Sequence, residues 1–139
     1  MTKQKPPPQV LAMILCDQVI RDANTGKSTI VGSFSAISAE KFPAMHRPLA
    51  IYIALTDGNG RYSGSLRFVV AETEQELMSA NGEFVLNDPL QVAELHFVIP
   101  ALPLPKEGKY RMDFVCDGEV LKSRWFLANL HKQGPQGQK

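Results

Sequence analysis

The sequence predicts an all-β protein, a single antiparallel two-sheet sandwich of about eight strands. Short apolar runs follow one another along the chain and are separated by turn residues at roughly 8–15-residue spacing. Several of these runs alternate with a period of two, as a strand does when one of its faces is buried. No segment has the apolar spacing of a long helix.

A chain of 139 residues fits one domain, which we place at residues 9–130. Residues 1–8 contain three consecutive prolines and residues 131–139 have no apolar side chain to bury, so both ends are expected to be flexible tails. The apolar run at residues 10–16 is far shorter than the about 20 residues of a membrane span. The prolines before it also argue against a signal peptide. We therefore expect a cytoplasmic protein without a membrane partner.

The first two apolar runs predict a β-hairpin. Residues 10–20 are apolar on both faces as far as Asp17, and residues 29–37 are rich in β-branched side chains. The turn residues at 24–27 join them. A third strand follows at residues 49–55, where large and small side chains alternate.

The middle of the chain contains one ambiguous segment. Leu66, Phe68 and Val70 form one face of a fourth strand, which follows the glycine-rich turn at 57–60. The composition of residues 71–81 allows either a short helix or a hairpin bend, and the strand patterns on both sides favour the hairpin. Phe84 and Leu86 then belong to a fifth strand.

The last third alternates most clearly. Residues 93–99 read as a strand, and the prolines at 100, 103 and 105 predict an extended edge or crossing segment. Asp117-Gly118 is a favoured two-residue hairpin turn between two further strands. In the returning strand, Leu121, Ser123, Trp125 and Leu127 share one face, and we place Trp125 in the core.

The charges and cysteines exclude several classes of protein. The chain has 15 basic and 14 acidic residues, and removing the four lysines of the tails leaves 11 basic residues and a net charge of −3. A nucleic-acid binder concentrates its basic residues on the folded surface, so no nucleic-acid partner is expected. Cys16 and Cys116 are too few for a disulfide framework or a zinc site, and we expect reduced thiols.

Residues 92–119 resemble the late strands of immunoglobulin-like and C2-like sandwiches. The resemblance rests on a strand ending in a proline at 95–100, on Gly108-Lys-Tyr110 and on the Asp117-Gly118 turn. The body of the chain also resembles an uncharacterised family of small bacterial proteins. The motifs that carry this resemblance are Leu15-Cys-Asp-Gln-Val-Ile-Arg-Asp22, Val31-Gly-Ser-Phe34 and Leu55-Thr-Asp-Gly-Asn-Gly60. It implies a bacterial sandwich protein and no particular function.

No catalytic, cofactor-binding or metal-binding residue is predicted. The turn at 57–60 begins like a calcium loop, but Arg61 and Phe68 stand where further oxygen ligands are needed. Ser33 lacks the second glycine of a nucleophile elbow. The three histidines show no metal-site spacing; they are His46, His96 and His131. We therefore expect a protein that is not an enzyme and has no cofactor.

One predicted sheet face is apolar although it points away from the core. Residues 10–16 are apolar on both faces, and the minor face of residues 49–55 carries small side chains around one aromatic ring. The side chains of this predicted outer face are Leu11, Met13, Leu15, Ala50, Tyr52 and Ala54. Exposed apolar patches of several hundred Å2 usually mark a contact. The alternative is that one of the proline-rich connections, 42–48 or 100–105, covers the face.

These observations predict a non-catalytic interaction module. Its partner is an unknown protein or a second copy of the chain in a two-fold homodimer, since one self-complementary patch is enough for the latter. The alternative is a small-ligand or carbohydrate-binding module, which needs exposed aromatic rings. Only Tyr52, Tyr62 and Trp125 are available for that role.

Overall fold

The computed structural model describes residues 6–46 and 48–131, which are folded entirely from β-strands, turns and loops. The eleven strands within the described residues are β1 (Gln9–Arg21), β2 (Ser28–Ser33), β3 (Ala36–Ala39), β4 (Ala44–His46), β5 (Leu49–Thr56), β6 (Gly60–Val70), β7 (Gln75–Leu86), β8 (Ala93–Ile99), β9 (Leu102–Leu104), β10 (Gly108–Cys116) and β11 (Glu119–Leu130). The predicted all-β class is confirmed. The count exceeds the predicted eight, in part because β3, β4 and β9 have only three or four residues each. None of the described residues belongs to a helix long and apolar enough to span a membrane.

The strands form two large sheets and one small sheet. The four-stranded sheet has the order β2-β1-β5-β8, the five-stranded sheet has the order β3-β11-β10-β6-β7, and β4 pairs with β9. Neighbouring strands are antiparallel except for β3, which runs parallel to β11. Both large sheets therefore combine a strand from the first 40 residues with one that begins beyond residue 90.

One apolar cluster joins the two large sheets. Ile51 and Ile53 from β5 belong to it together with Phe68 from β6 and Met112 and Phe114 from β10, and each is at most 1% exposed. Burial of one such side chain stabilises the folded state by about 1.5–3 kcal/mol. The alternation of large side chains predicted these inward faces, because successive residues of a strand point to opposite sides.

The ambiguous middle segment is a hairpin, as predicted. β6 ends at Val70, β7 begins at Gln75, and these two residues are paired across the turn. Glu74 has a φ of 64° in that turn. The second predicted hairpin turn is confirmed as well, with φ values of 49° at Asp117 and 87° at Gly118, the double positive φ that a type I′ turn requires.

The prediction of one strand over residues 29–37 was wrong. β2 ends at Ser33, and the chain then crosses to the other large sheet, where β3 pairs with β11. Gly32 has a φ of 68°, next to the point where the strand ends. The crossing is fixed by two backbone hydrogen bonds, one from Phe34 N to Leu15 O and one from Leu127 N to Ser35 O.

The prediction that Trp125 lies in the core was also wrong. Phe126 and Ala128 are the buried residues of this part of β11, whereas Trp125 is 45% exposed. The reason is a β-bulge: Phe114 pairs with Lys122 and Val115 pairs with Val120, so one residue of β11 is left over between them. An extra residue exchanges the inward and outward faces of everything beyond it.

The predicted tails fall mostly on residues 1–5 and 132–139, which lie outside the described residues. Of the remaining tail positions, Pro8 is buried. The carbonyl of Pro6 accepts a hydrogen bond of 2.7 Å from the hydroxyl of Tyr62. Residues 6–8 therefore pack against the domain. The proline-rich segment around β9 contributes Leu102 and Leu104 to the core, in agreement with the predicted crossing segment.

Candidate functional site

The six residues of the predicted outer face do not share one face. Met13 and Leu15 pair with Ile53 and Ile51 and lie with them in the core, at 6% and 1% exposure. This corrects their assignment to the outer face. The cause is a bulge in β1 between Val10 and Ala12, which exchanges the two faces of the strand. Leu11, beside the bulge, is 53% exposed.

The true outer face of the four-stranded sheet is formed by other β1 residues. Ala12, Ile14 and Cys16 pair with Ala54, Tyr52 and Ala50, respectively. This face is nevertheless well covered, since Cys16, Ala50 and Ala54 are at most 6% exposed. Its cover explains why an apolar face of this kind is tolerated.

The cover is the β1–β2 hairpin. β1 pairs with β5 only as far as Cys16, and its last four residues, 18–21, pair with β2 alone. Near the tip of the hairpin, Ser28 Oγ donates a hydrogen bond of 3.2 Å to Glu94 Oε1, and Arg21 Nη2 lies 3.7 Å from the same oxygen. Glu94 belongs to β8, at the other edge of the sheet from β2, and shares a face with Tyr52 and Ala54. The end of the hairpin that holds Arg21 and Ser28 therefore folds back towards this outer face. We call residues 17–33 the hairpin flap.

Glu94 is the meeting point of the hairpin flap and the sheet. Its Oε2 atom accepts a short hydrogen bond from the hydroxyl of Tyr52. Burial, followed by the hydrogen bond to Glu94 and the negative charge of that residue, raises the pKa of Tyr52 to about 12. Tyr52 therefore stays a neutral donor at physiological pH. The proline-rich connections, which the sequence offered as a cover, make none of these contacts.

Two shallow clefts flank the hairpin flap. The first has a volume of about 330 Å3 between β7 and β8, and Arg21, Glu83, Glu94 and His96 are the charged or titratable residues that line it. His96 is exposed, whereas its neighbours Leu95 and Phe97 on the other face of β8 are partly buried. Among the described residues, including those of this cleft, no three His, Cys, Asp or Glu side chains form a group that could hold a metal ion.

The second cleft, of about 310 Å3, lies between β2 and β3. It contains the carboxylate of Asp17, the imidazole of His46 and the hydroxyls of Ser33 and Ser38. Burial lowers the pKa of His46, and the negative charge of Asp17 opposes that effect in part. The net shift favours the neutral imidazole.

The largest departure from the sequence prediction is on the outer face of the five-stranded sheet. Trp125 lies opposite Arg111, and Leu127 lies opposite Lys109; Trp125 and Leu127 are each 45% exposed. Lys109 Nζ is 4.0 Å from the centroid of the Trp125 ring, a cation–π contact worth about 0.5–1 kcal/mol at an exposed site. We call Lys109, Trp125 and Leu127 the Trp125 surface.

A buried carboxylate organises the polar side chains beside the Trp125 surface. Asp113 is 2% exposed and accepts hydrogen bonds from Arg111 Nε at 2.7 Å, Ser123 Oγ at 2.7 Å and Arg67 Nη2 at 3.0 Å. Burial alone would raise the pKa of Asp113, but the hydrogen bonds from Arg111, Ser123 and Arg67 outweigh it and lower the pKa to about 2. Arg111 also donates two hydrogen bonds, of 2.7 and 2.8 Å, to the carboxylate of Glu74.

This network neutralises the arginines of the face but not Lys109. Arg111 is balanced by Asp113 and Glu74, and Arg67 is balanced by Asp113. Among the described residues, no carboxylate forms an ion pair with Lys109. The Trp125 surface therefore combines a fixed aromatic ring, an apolar side chain and an available positive charge.

The other two aromatic residues considered in the sequence take different roles. Tyr62 is 2% exposed, stacks on Phe84 at a centroid distance of 5.4 Å and belongs to the core. Tyr52 is half-buried under the hairpin flap. Cys16 and Cys116 are both buried, and neither forms a disulfide. Trp125 is thus the most exposed of the three rings.

The fold and this surface define an all-β protein with two large sheets around one core and a tryptophan on an outer face. A family model described as a family of unknown function (DUF6941) matches residues 11–128. The chain belongs to that family. The family description agrees with the resemblance to an uncharacterised family and assigns no activity. Comparison with curated proteins gives no match.

Proposed function

We propose that this protein is a non-catalytic interaction module that binds a partner protein through the Trp125 surface. The exposure of Trp125 is the observation that carries the proposal. Tryptophan is the residue type most enriched among the side chains that dominate binding energy at protein interfaces. Here it is the only tryptophan of the chain, and it is held on a sheet rather than on a loop.

The charge of the surface favours an acidic partner. Lys109 covers one part of the ring and has no carboxylate partner among the described residues, so an Asp or Glu of the bound protein would supply one. Leu127 adds an apolar contact opposite Lys109. The expected partner segment therefore carries a carboxylate next to a large apolar side chain, because an interface has an apolar centre and polar surroundings.

The test uses the full chain as bait in a selection from a displayed peptide library. We expect the selected peptides to combine Asp or Glu with a large apolar residue and to lose at least about tenfold in affinity for Trp125→Ala. Lys109→Glu should weaken them as well. Val98→Ala is the matched control, since Val98 is 62% exposed on the other large sheet. Peptides that bind wild type and Trp125→Ala equally would exclude the proposal.

A carbohydrate-binding module is the second candidate, and the exposure of Trp125 favours it too. Sugar rings stack on flat aromatic faces, as other cyclic groups do. The fluorescence of the single tryptophan separates the two candidates, because it reports any ligand placed on the ring. Quenching by oligosaccharides in the wild type, together with calorimetric binding of the same oligosaccharides that is lost in Trp125→Ala and without enrichment of acidic peptides, would select the carbohydrate function.

We also propose the type of sandwich, the origin and the cellular location of the protein. We infer that the two large sheets form one sandwich of the immunoglobulin-like or C2-like kind, supported by the single apolar cluster to which both contribute. A bacterial origin follows the sequence resemblance. The cytoplasm is the proposed location, supported by two cysteines that are not in disulfides. The predicted homodimer stays a proposal, and the hairpin flap offers a specific route to it.

A further inference from the structure

The hairpin flap is weakly anchored for an element that covers an apolar surface. None of its 17 residues, from 17 to 33, is buried. The outer face towards which it folds contains Cys16, Ala50 and Ala54, which are at most 6% exposed. Segments with few buried apolar contacts open at a lower free-energy cost than the rest of a fold. The hairpin flap is therefore expected to detach while both large sheets stay folded.

The anchors of the hairpin flap lie at its two ends. Near its tip, Arg21 and Ser28 both contact Glu94. At its base, Cys16 pairs with Ser33, and Phe34 N donates to Leu15 O. The base contacts belong to the strands that continue into the body, so they can persist when the tip contacts break.

We propose that the hairpin flap exchanges between two copies of this chain, so that each outer face is covered by the hairpin flap of the other copy. The polar groups of this surface already fit this one segment, since Glu94 contacts both Arg21 and Ser28. A second copy carries the identical segment, so the interactions that opening breaks within one chain form again between the two chains. Exchange of an identical element is a low-cost route to a homodimer.

This proposal does not depend on the Trp125 surface, which belongs to the other large sheet. It can be tested by reversing one pair of charges. Arg21→Glu alone places two carboxylates together, and Glu94→Arg alone places two guanidinium groups together. In a mixed dimer with exchanged hairpin flaps, both positions 21 and 94 regain an opposite charge across the two chains.

The experiment mixes the two full-length variants and follows them by sizing chromatography with light scattering. We expect each variant alone to be monomeric and the mixture to form a heterodimer containing one copy of each. The matched control is the pair Lys106→Glu and Glu72→Lys, whose wild-type side chains are 3.4 Å apart and line neither of the clefts beside the hairpin flap. A mixture of Arg21→Glu and Glu94→Arg that stays monomeric would overturn the proposal, as would dimers in the control mixture.

Labelling of the two cysteines gives a second readout on the same samples. Cys16 lies at the base of the hairpin flap, paired with Ser33, and burial and then the charge of Asp17 raise the pKa of its thiol. Cys116 lies in the five-stranded sheet and is 4% exposed. We expect each variant alone to label Cys16 about tenfold faster than wild type while Cys116 stays slow, and the mixture to restore protection of Cys16. Equal acceleration at both cysteines would mean unfolding and contradict the proposal.

Discussion

Asp113 is the one buried charged side chain among the described residues, and it determines how the side chains beside Trp125 are held. A carboxylate removed from water is costly unless its oxygens are hydrogen-bonded. Asp113 meets this condition through Arg111, Arg67 and Ser123. Asp113 stands between Met112 and Phe114 in the sequence, and this alternation indicates only that it faces away from the core. Its burial could not be predicted, because the side chains that cover it come from β6 and β11.

The pH dependence of stability follows from this carboxylate. The pKa of Asp113 is about 2 in the folded protein against an ordinary 3.8. A lowered pKa stabilises the folded state above the ordinary value, so this contribution is complete above about pH 4 and is lost as the pH falls through about 2. Asp113→Asn should cost about 2 kcal/mol at pH 7, and the difference from wild type should shrink below pH 4. Urea unfolding at several pH values measures this, and a difference that does not change with pH would contradict it.

At the scale of elements, the hairpin turns were predictable and the bulges were not. Asp117-Gly118 fixes the local pairing of β10 and β11, and with a regular ladder Trp125 would lie opposite Tyr110 in the core. The bulge places it opposite Arg111 instead. Residues 125–128 are all apolar, so the sequence pattern is compatible with either register of β11 against β10. The register is decided by the packing of Phe126 and Ala128 in the core between the sheets. A local sequence pattern carries no information about that packing.

The base of the hairpin flap depends on Gly32 in a way that can be measured. Gly32 has a φ of 68°, and a Cβ there would lie 2.3 Å from the Asp17 carboxylate oxygen. Gly26, in the turn of the same hairpin, has a φ of 74° with no atom within 4 Å of such a Cβ. Gly26→Ala should therefore cost about 1 kcal/mol of backbone strain. Gly32→Ala should cost about 2–3 kcal/mol, since Asp17 must also move. Equal losses in urea unfolding would show that the Asp17 contact is unimportant.

At the scale of the whole molecule, the all-β class and most inward faces could be predicted, whereas the division of strands between sheets could not. Hairpin pairing, as between β10 and β11, joins neighbouring segments and leaves a signal in the turn between them. The crossing after β2 and the parallel pairing of β3 with β11 join distant parts of the chain. The sequence also did not indicate which segment covers the outer face of the four-stranded sheet, because that contact too joins distant parts of the chain. The covering segment was recognised as a hairpin, but its position over β5 and β8 depends on Glu94, more than 60 residues later in the chain.

The central functional claim rests on an aromatic ring that faces solvent in the free protein. The fluorescence of Trp125 tests this directly, because no other tryptophan contributes. We predict emission typical of a solvent-exposed indole, ready quenching by acrylamide in the folded protein, and only a small shift of the emission maximum on unfolding in urea. Blue-shifted emission that is protected from acrylamide and moves strongly to the red on unfolding would place Trp125 in the core and contradict the account.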